Sequence, residues 1–117
     1  MITVYHYPNC STCKRALKWL NAHDLEYQKV HIVDAPPSQE LLKSLWQRSG
    51  KPLKAMFNTS GQSYRNGGFK DKLPSMSEDE QLAALAADGK LIKRPLVDND
   101  GKSCLIGFKE PEWDALL

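Results

Sequence analysis

The sequence predicts an α/β fold in one domain spanning residues 1–117. Three observations predict it. The first apolar stretches run strand, helix, strand, an order that a right-handed crossover turns into a parallel β-α-β unit. A helical middle follows. The last third then returns to two short apolar runs around "DNDG", which marks a hairpin.

Each element follows from its residues. "ITVYHY" (2–7) is β-branched and aromatic and is stopped by Pro8, so it reads as a buried strand. From Ser11, the positions Cys13, Ala16, Leu17 and Leu20 recur at helical spacing with Lys14, Arg15 and Lys18 opposite, an amphipathic helix ending near His23. "EYQKVHIV" (26–33) alternates as a second strand, and Pro36 and Pro37 end it. Ser38 caps a helix whose stripe is Leu41, Leu42, Leu45 and Trp46, closed by Gly50, and a further helix is expected from Pro52. "SEDEQLAALAADG" (77–89) has a Ser cap, Glu80 at the third helical position and a terminal Gly. The hairpin in "PLVDNDGKSCLIGF" turns on Asp98, Asn99, Asp100 and Gly101, with Cys104 facing inward. A last helix, Pro111 to Leu117, is expected to pack Trp113 and Leu116 on the sheet.

Composition excludes several classes. With 41% hydrophobic residues the chain can form one core without disulfide staples. A net charge of +2, spread over both signs, argues against a nucleic-acid or membrane surface; only Lys14, Arg15 and Lys18 are locally basic. No signal peptide or membrane-length apolar run is present, so a cytoplasmic location is expected. In that reducing compartment, three cysteines do not suggest a disulfide framework, and a close pair reads first as redox-active or metal-binding.

Cys10 and Cys13 form a C-x-x-C where the first strand gives way to the first helix. With the order β-α-β, inserted helices, hairpin, α, this is the thioredoxin-like architecture. Unpaired N–H groups and the helix dipole stabilise a thiolate at a helix start. Cys10 is therefore the expected nucleophile, and Cys13, one turn on and on the apolar face, the resolving thiol. A structural zinc site needs four ligands, usually as two spaced pairs, and only one such pair occurs. His6, four residues before Cys10, either stabilises the thiolate as an imidazolium or simply packs in the strand; spacing does not separate the two. Arg94 precedes Pro95 where the hairpin begins, a segment that faces the cysteine helix in this architecture, so the bond between them is a candidate for the cis form.

The stretches "YPNCSTCKRALKWL", "PPSQELLKSL", "FNTSGQSYR", "MSEDEQLAALAADGKLIKRPL" and "GFKEPEW" resemble, in that order, the arsenate reductase (ArsC) family, and within it the Spx-type branch of small thiol proteins. The resemblance implies a helical insertion between the second and third strands and a catalytic cysteine at Cys10. It further implies a cis-proline at Pro95, an anion-contacting arginine at Arg94 and a histidine near the nucleophile at His6. Two departures shift the expected chemistry. Arsenate reductases of this type set three arginines around the nucleophile, a fit to a tetrahedral oxyanion, but here the second position is Asn58 and the third is approximated by Lys109. They also lack a second cysteine and rely on glutathione and glutaredoxin, whereas this chain has Cys13. Asn58 and Arg65 are candidates to orient a peptide-like thiol, with Gly61 permitting a tight turn.

The resulting expectation is a cytosolic thiol–disulfide oxidoreductase with no bound metal or cofactor. Its substrate would be glutathione or a thiol or disulfide protein, and glutathione or a thioredoxin system, with glutaredoxin or thioredoxin as partner, would restore the dithiol. The alternatives are a redox-sensing transcription partner of RNA polymerase, as the Spx resemblance implies, and a glutathione- and glutaredoxin-dependent arsenate reductase. The regulator reading is weakened by the chain stopping at Leu117 without a charged tail.

Overall fold

The computed structural model describes residues 1–117. In chain order the elements are β1 (Ile2–His6), α1 (Ser11–Ala22), β2 (Tyr27–His31), α2 (Gln39–Ser49), α3 (Gln62–Asn66), α4 (Phe69–Lys72), α5 (Glu78–Ala87), β3 (Leu96–Asn99), β4 (Ser103–Ile106) and α6 (Glu110–Leu116). β1 pairs parallel with β2 and antiparallel with β3, and β3 pairs antiparallel with β4, so the sheet order is β2-β1-β3-β4. The fold is α/β and thioredoxin-like, with α2 to α5 inserted between the second and third strands.

Strand alternation feeds two cores, one on each face of the sheet. Ile2 and Val4 of β1, Val97 of β3 and Leu105 of β4 pack with Ala16 and Leu20 of α1 and with Trp113 of α6. Tyr5, Leu96 and Cys104 point the other way, into a larger cluster with Leu42, Leu45, Leu82 and Leu85. Because β1 is central and covered on both faces, it needs the near-continuous apolar run that its sequence shows.

Where structure and sequence expectation differ, packing is the reason. β1 ends at His6, one residue short of Tyr7. The stretch after Pro52 forms only a 3-10 turn, Leu53–Met56, because Phe57 must extend to bridge Ile92. In α6, Trp113 is fully buried and its indole N–H donates to the Gly107 carbonyl at 3.1 Å, whereas Leu116 is 48% exposed and does not pack on the sheet as expected. The short helix has one inward position on the sheet, and Trp113 fills it. Gly50 closes α2 in the left-handed conformation, φ 69°. Gly89 does not close α5 in that way: the helix ends at Ala87, and Gly89 is pressed against the end of β2, where a Cβ would lie 2.0 Å from the Ile32 carbonyl oxygen.

A candidate thiol site at the head of the first helix

Pro8 and Asn9 turn the chain out of β1, and the Cys10 N–H donates to the Tyr7 carbonyl at 3.0 Å. Cys10 thereby becomes the N-cap of α1, with extended φ −96° and ψ 116°. Its Sγ takes the capping role that a Ser or Asp oxygen usually fills, accepting from the Cys13 N–H at 3.4 Å. Partial burial pushes the Cys10 thiol up, but the Cys13 N–H, the Cys13 thiol and the Arg94 guanidinium outweigh it and hold it below its ordinary value. Cys13, on the inner side of α1, is only 1% exposed. Burial, reinforced by the neighbouring Cys10 charge, pushes it up to about 12. One turn of helix therefore separates a thiolate-prone sulfur from one that stays protonated, the division that thiol–disulfide exchange requires. Both thiols are free.

Arg94 reaches this pair because a second strand-like contact aims it. The Lys93 N–H donates to the Met56 carbonyl at 2.7 Å and the Asn58 N–H to the Leu91 carbonyl at 2.8 Å, on either side of the Phe57–Ile92 bridge. The guanidinium then lies over the Tyr7 ring, 4.8 Å from its centroid, and donates to the Lys90 carbonyl at 3.4 Å. The Arg94–Pro95 peptide is cis. Pro95 is buried, and its carbonyl accepts from the Gly107 N–H at 2.8 Å.

Two clefts share Arg94 as a wall. The smaller, about 240 Å³, is lined by Tyr7, Asn58, Gly61, Ser63 and Lys90 among others. The larger, about 680 Å³, includes Thr12 of α1 and Lys109. Asn58 and Lys109 thus fall in different clefts rather than converging with Arg94 on one oxyanion. The Asn58 amide packs on Gly61, where a Cβ would lie 2.7 Å from Nδ2. Gly61 has φ −85°, so its missing side chain, not a left-handed backbone, is what this turn uses.

Two other candidates lie away from the charge that acts on Cys10. Arg65 is exposed on α3 and lines neither cleft, because its neighbour Tyr64 takes the inward side of that helix. His6 is held below its ordinary value by burial, Lys29 and His31, which leaves it uncharged at neutral pH. Its ring faces that of His31, with centroids 6.2 Å apart. The charge that lowers Cys10 therefore comes from Arg94 and not from an imidazolium.

Cys104 lies in the cluster on the sheet face opposite α1, and burial pushes it up to about 12. Sequence reasoning missed Tyr7, taken as a strand residue. It also missed the basic residues Arg15, Lys51, Lys54 and Lys93 that line the larger cleft. The signal for Tyr7 was its place directly before the Pro8–Asn9 turn; the four cations are scattered along the chain, and only the fold gathers them. No three His, Cys, Asp or Glu side chains are placed so that they could hold a metal ion together, and no helix is long and apolar enough to cross a membrane.

Residues 5–116 match the model of the ArsC family. The chain is 52% identical over 113 residues to the uncharacterized protein YusI of Bacillus subtilis, covering 97% of this chain and 95% of that protein. It is 26% identical over 117 residues to the global transcriptional regulator Spx of Streptococcus mutans, covering 100% of this chain and 83% of the regulator. The crystal structure of an ArsC family related protein from Bacteroides fragilis superposes with a TM-score of 0.95 at 46% identity, covering 99% of this chain and 97% of that one.

Proposed function

The chain belongs to the ArsC family, and from that premise we propose that it is a cytoplasmic thiol–disulfide oxidoreductase with Cys10 as nucleophile and Cys13 as resolving thiol. The observation that carries the reading is the Cys10 Sγ capping α1 at 3.4 Å from the Cys13 N–H, beside the Arg94 guanidinium. The Cys10 thiolate attacks one sulfur of a disulfide, forming a mixed disulfide and releasing a thiolate. Cys13 then loses its proton and attacks the Cys10 Sγ, leaving the protein oxidised and the second thiol released. Its high pKa keeps Cys13 idle until Cys10 is captured, because charge on Cys10 is one of the causes that hold it protonated. Glutathione or a thioredoxin system then restores the dithiol.

A site with one guanidinium beside the sulfur, and with Asn58 and Lys109 in separate clefts, supports disulfide exchange over arsenate reduction. A second reading, a redox-sensing partner of RNA polymerase, is favoured by the match to Spx across the whole of this chain. The test is turnover of small disulfides with glutathione or thioredoxin reductant, beside pull-downs from cell extract with reduced and oxidised protein. The enzyme reading expects turnover that Cys10→Ser abolishes. No turnover, with redox-dependent capture of RNA polymerase, would replace it with the regulator.

A further inference from the structure

The larger cleft gathers Arg15, Lys51, Lys54, Lys93, Arg94 and Lys109 and has no carboxylate in its lining. The chain as a whole is nearly balanced, 16 basic against 14 acidic residues, so a wall of six cations and no acid is a local departure that needs a reason. The cations come from separate stretches: α1, the turn that follows α2, the segment before β3, and the residue preceding α6. Glu112, outside the lining, reaches Lys51 at 3.2 Å and Lys109 at 3.8 Å and offsets part of the charge. Arg15, Lys54 and Lys93 have no ion-pair partner. Like charges held on one concave wall repel one another, and an anion seated there would relieve that repulsion. The same wall includes Phe57, Ile106 and Phe108, an apolar surface between the charges.

Size and charge narrow the ligand. A cleft of about 680 Å³ lies within the range of small-molecule sites, roughly 300–1,000 Å³. A small peptide thiol, with two carboxylates against one ammonium, leaves most of this charge unanswered. Several phosphates on a partly apolar skeleton answer it, since lysines act on phosphate as point charges and arginines as forks. Arg94 and Thr12 join the cleft to the chemistry: both line it, Thr12 stands between the two cysteines at the head of α1, and the Arg94 charge also lowers the Cys10 thiol.

We infer that this cleft binds the phosphorylated, nucleotide-like tail of a low-molecular-weight thiol and presents its disulfide to Cys10. The inference rests on the exchange chemistry proposed above for the redox step, while tail binding stands apart from it. Cys10 thiolate attacks one sulfur of the symmetrical disulfide, the S–S bond breaks, and one phosphorylated thiolate leaves. Cys13 gives up its proton to that thiolate and attacks the Cys10 Sγ, releasing the second thiolate, which takes a proton from water. Two electrons pass from the protein dithiol to the ligand disulfide, which becomes two thiols.

Two arms test this with coenzyme A as the phosphorylated probe. In the first, coenzyme A is titrated calorimetrically into the full-length Cys10→Ser protein, with glutathione as the carboxylate comparison. Binding of coenzyme A that weakens as salt rises, is at least tenfold tighter than that of glutathione, and falls at least tenfold in Lys54→Gln/Lys93→Gln is expected. Lys43→Gln on α2, outside the cleft, should leave the affinity unchanged. In the second arm, prereduced wild type is mixed in single turnover with coenzyme A disulfide, glutathione disulfide and hydroxyethyl disulfide. Coenzyme A disulfide should be reduced at least tenfold faster than glutathione disulfide. No binding, tighter binding of glutathione, or loss of no affinity in the double variant overturns the phosphate site, even where hydroxyethyl disulfide is reduced and the exchange reading stands. Binding as expected with no disulfide reduced removes the redox step, and that outcome is the failure of the exchange reading itself.

Discussion

The Arg94 guanidinium carbon stands 4.8 Å from the centroid of the Tyr7 ring. Tyr7 also holds Cys10 in place, since its carbonyl accepts the Cys10 N–H at 3.0 Å. One residue thus sets both the nucleophile and the cation that lowers its pKa. A cation over an aromatic face is worth about 0.5–2 kcal/mol, so removing the ring frees the guanidinium to move. Tyr7→Leu is expected to raise the Cys10 pKa, Tyr7→Phe to leave it close to wild type, and Arg94→Ala to raise it most. One unit is on the order of tenfold in thiolate fraction. Thiolate absorbance against pH and alkylation rate at neutral pH are the measurements. If Tyr7→Leu and Tyr7→Phe behave alike, the ring is not what positions Arg94.

Mild oxidation is expected to join Cys10 to Cys13 and to spare Cys104. The Cys13 N–H donates to the Cys10 Sγ across one turn, whereas Cys104 is buried in the core on the other face of the sheet. Adjacency also gives Cys13 a high effective concentration toward a captured Cys10. Peptide mapping after exposure to oxidised glutathione should therefore find the short-loop bridge in wild type. Cys13→Ser should accumulate a glutathione adduct on Cys10. A bridge that includes Cys104 would contradict the placement of the hairpin.

Stability should fall at alkaline pH. Burial raises Cys104 from an ordinary 9.0 to about 12, and Cys13 likewise. Between these values the unfolded chain has released protons that the folded chain still holds. The stabilisation is thus complete below about pH 9 and is lost as pH rises toward 12, at about 1.4 kcal/mol per pH unit for each thiol. Urea unfolding at several pH values between these limits gives the slope directly. Tyr5, which burial also raises from an ordinary 10.0, adds to the slope only above that value. Between about pH 9 and 10, Cys104→Ala should therefore flatten it by roughly half, whatever it does to stability at neutral pH, and an unchanged slope there would mean that Cys104 is not protected in the folded state.

The elements with a strict period were legible in the sequence: β1 by its apolar run, α1 by Cys13, Ala16, Leu17 and Leu20, and α5 by the Ser77–Glu80 capping box. The cysteine pair was legible because C-x-x-C carries its chemistry within one turn. Arg65 was misplaced because sequence spacing does not say which side of a five-residue helix faces inward; Tyr64 decides that by burial. His6 was ambiguous because its charge depends on its burial and on Lys29 and His31 of the neighbouring strand, which only packing and strand register fix. The basic cleft was invisible for the same reason: its cations are up to 94 positions apart, between Arg15 and Lys109, and meet only in the fold.

Gly89 offers a test of the packing that delivers Arg94 to the site. It sits at the head of the segment from Lys90 to Arg94, and a Cβ there would meet the Ile32 carbonyl oxygen at 2.0 Å and the Val33 Cα at 2.8 Å. Both are backbone atoms at the end of β2 and cannot rotate away. Overpacking usually costs about 1–3 kcal/mol, and a clash with backbone belongs at or above the top of that range. Gly68 supplies the contrast: it has φ +66° with nothing within 4 Å of the added carbon, so Ala there meets only the left-handed penalty of roughly 1–2 kcal/mol. Denaturant unfolding should therefore rank Gly89→Ala as clearly more damaging than Gly68→Ala, although only Gly68 has a positive φ. If the chain relaxes by shifting Lys90 to Arg94 away from β2, Arg94 leaves Cys10, and the folded Gly89→Ala protein should also alkylate more slowly at neutral pH while Gly68→Ala does not. Equal costs and equal alkylation rates would mean that the end of β2 does not hold this segment, and that Arg94 is aimed by the Phe57–Ile92 bridge alone.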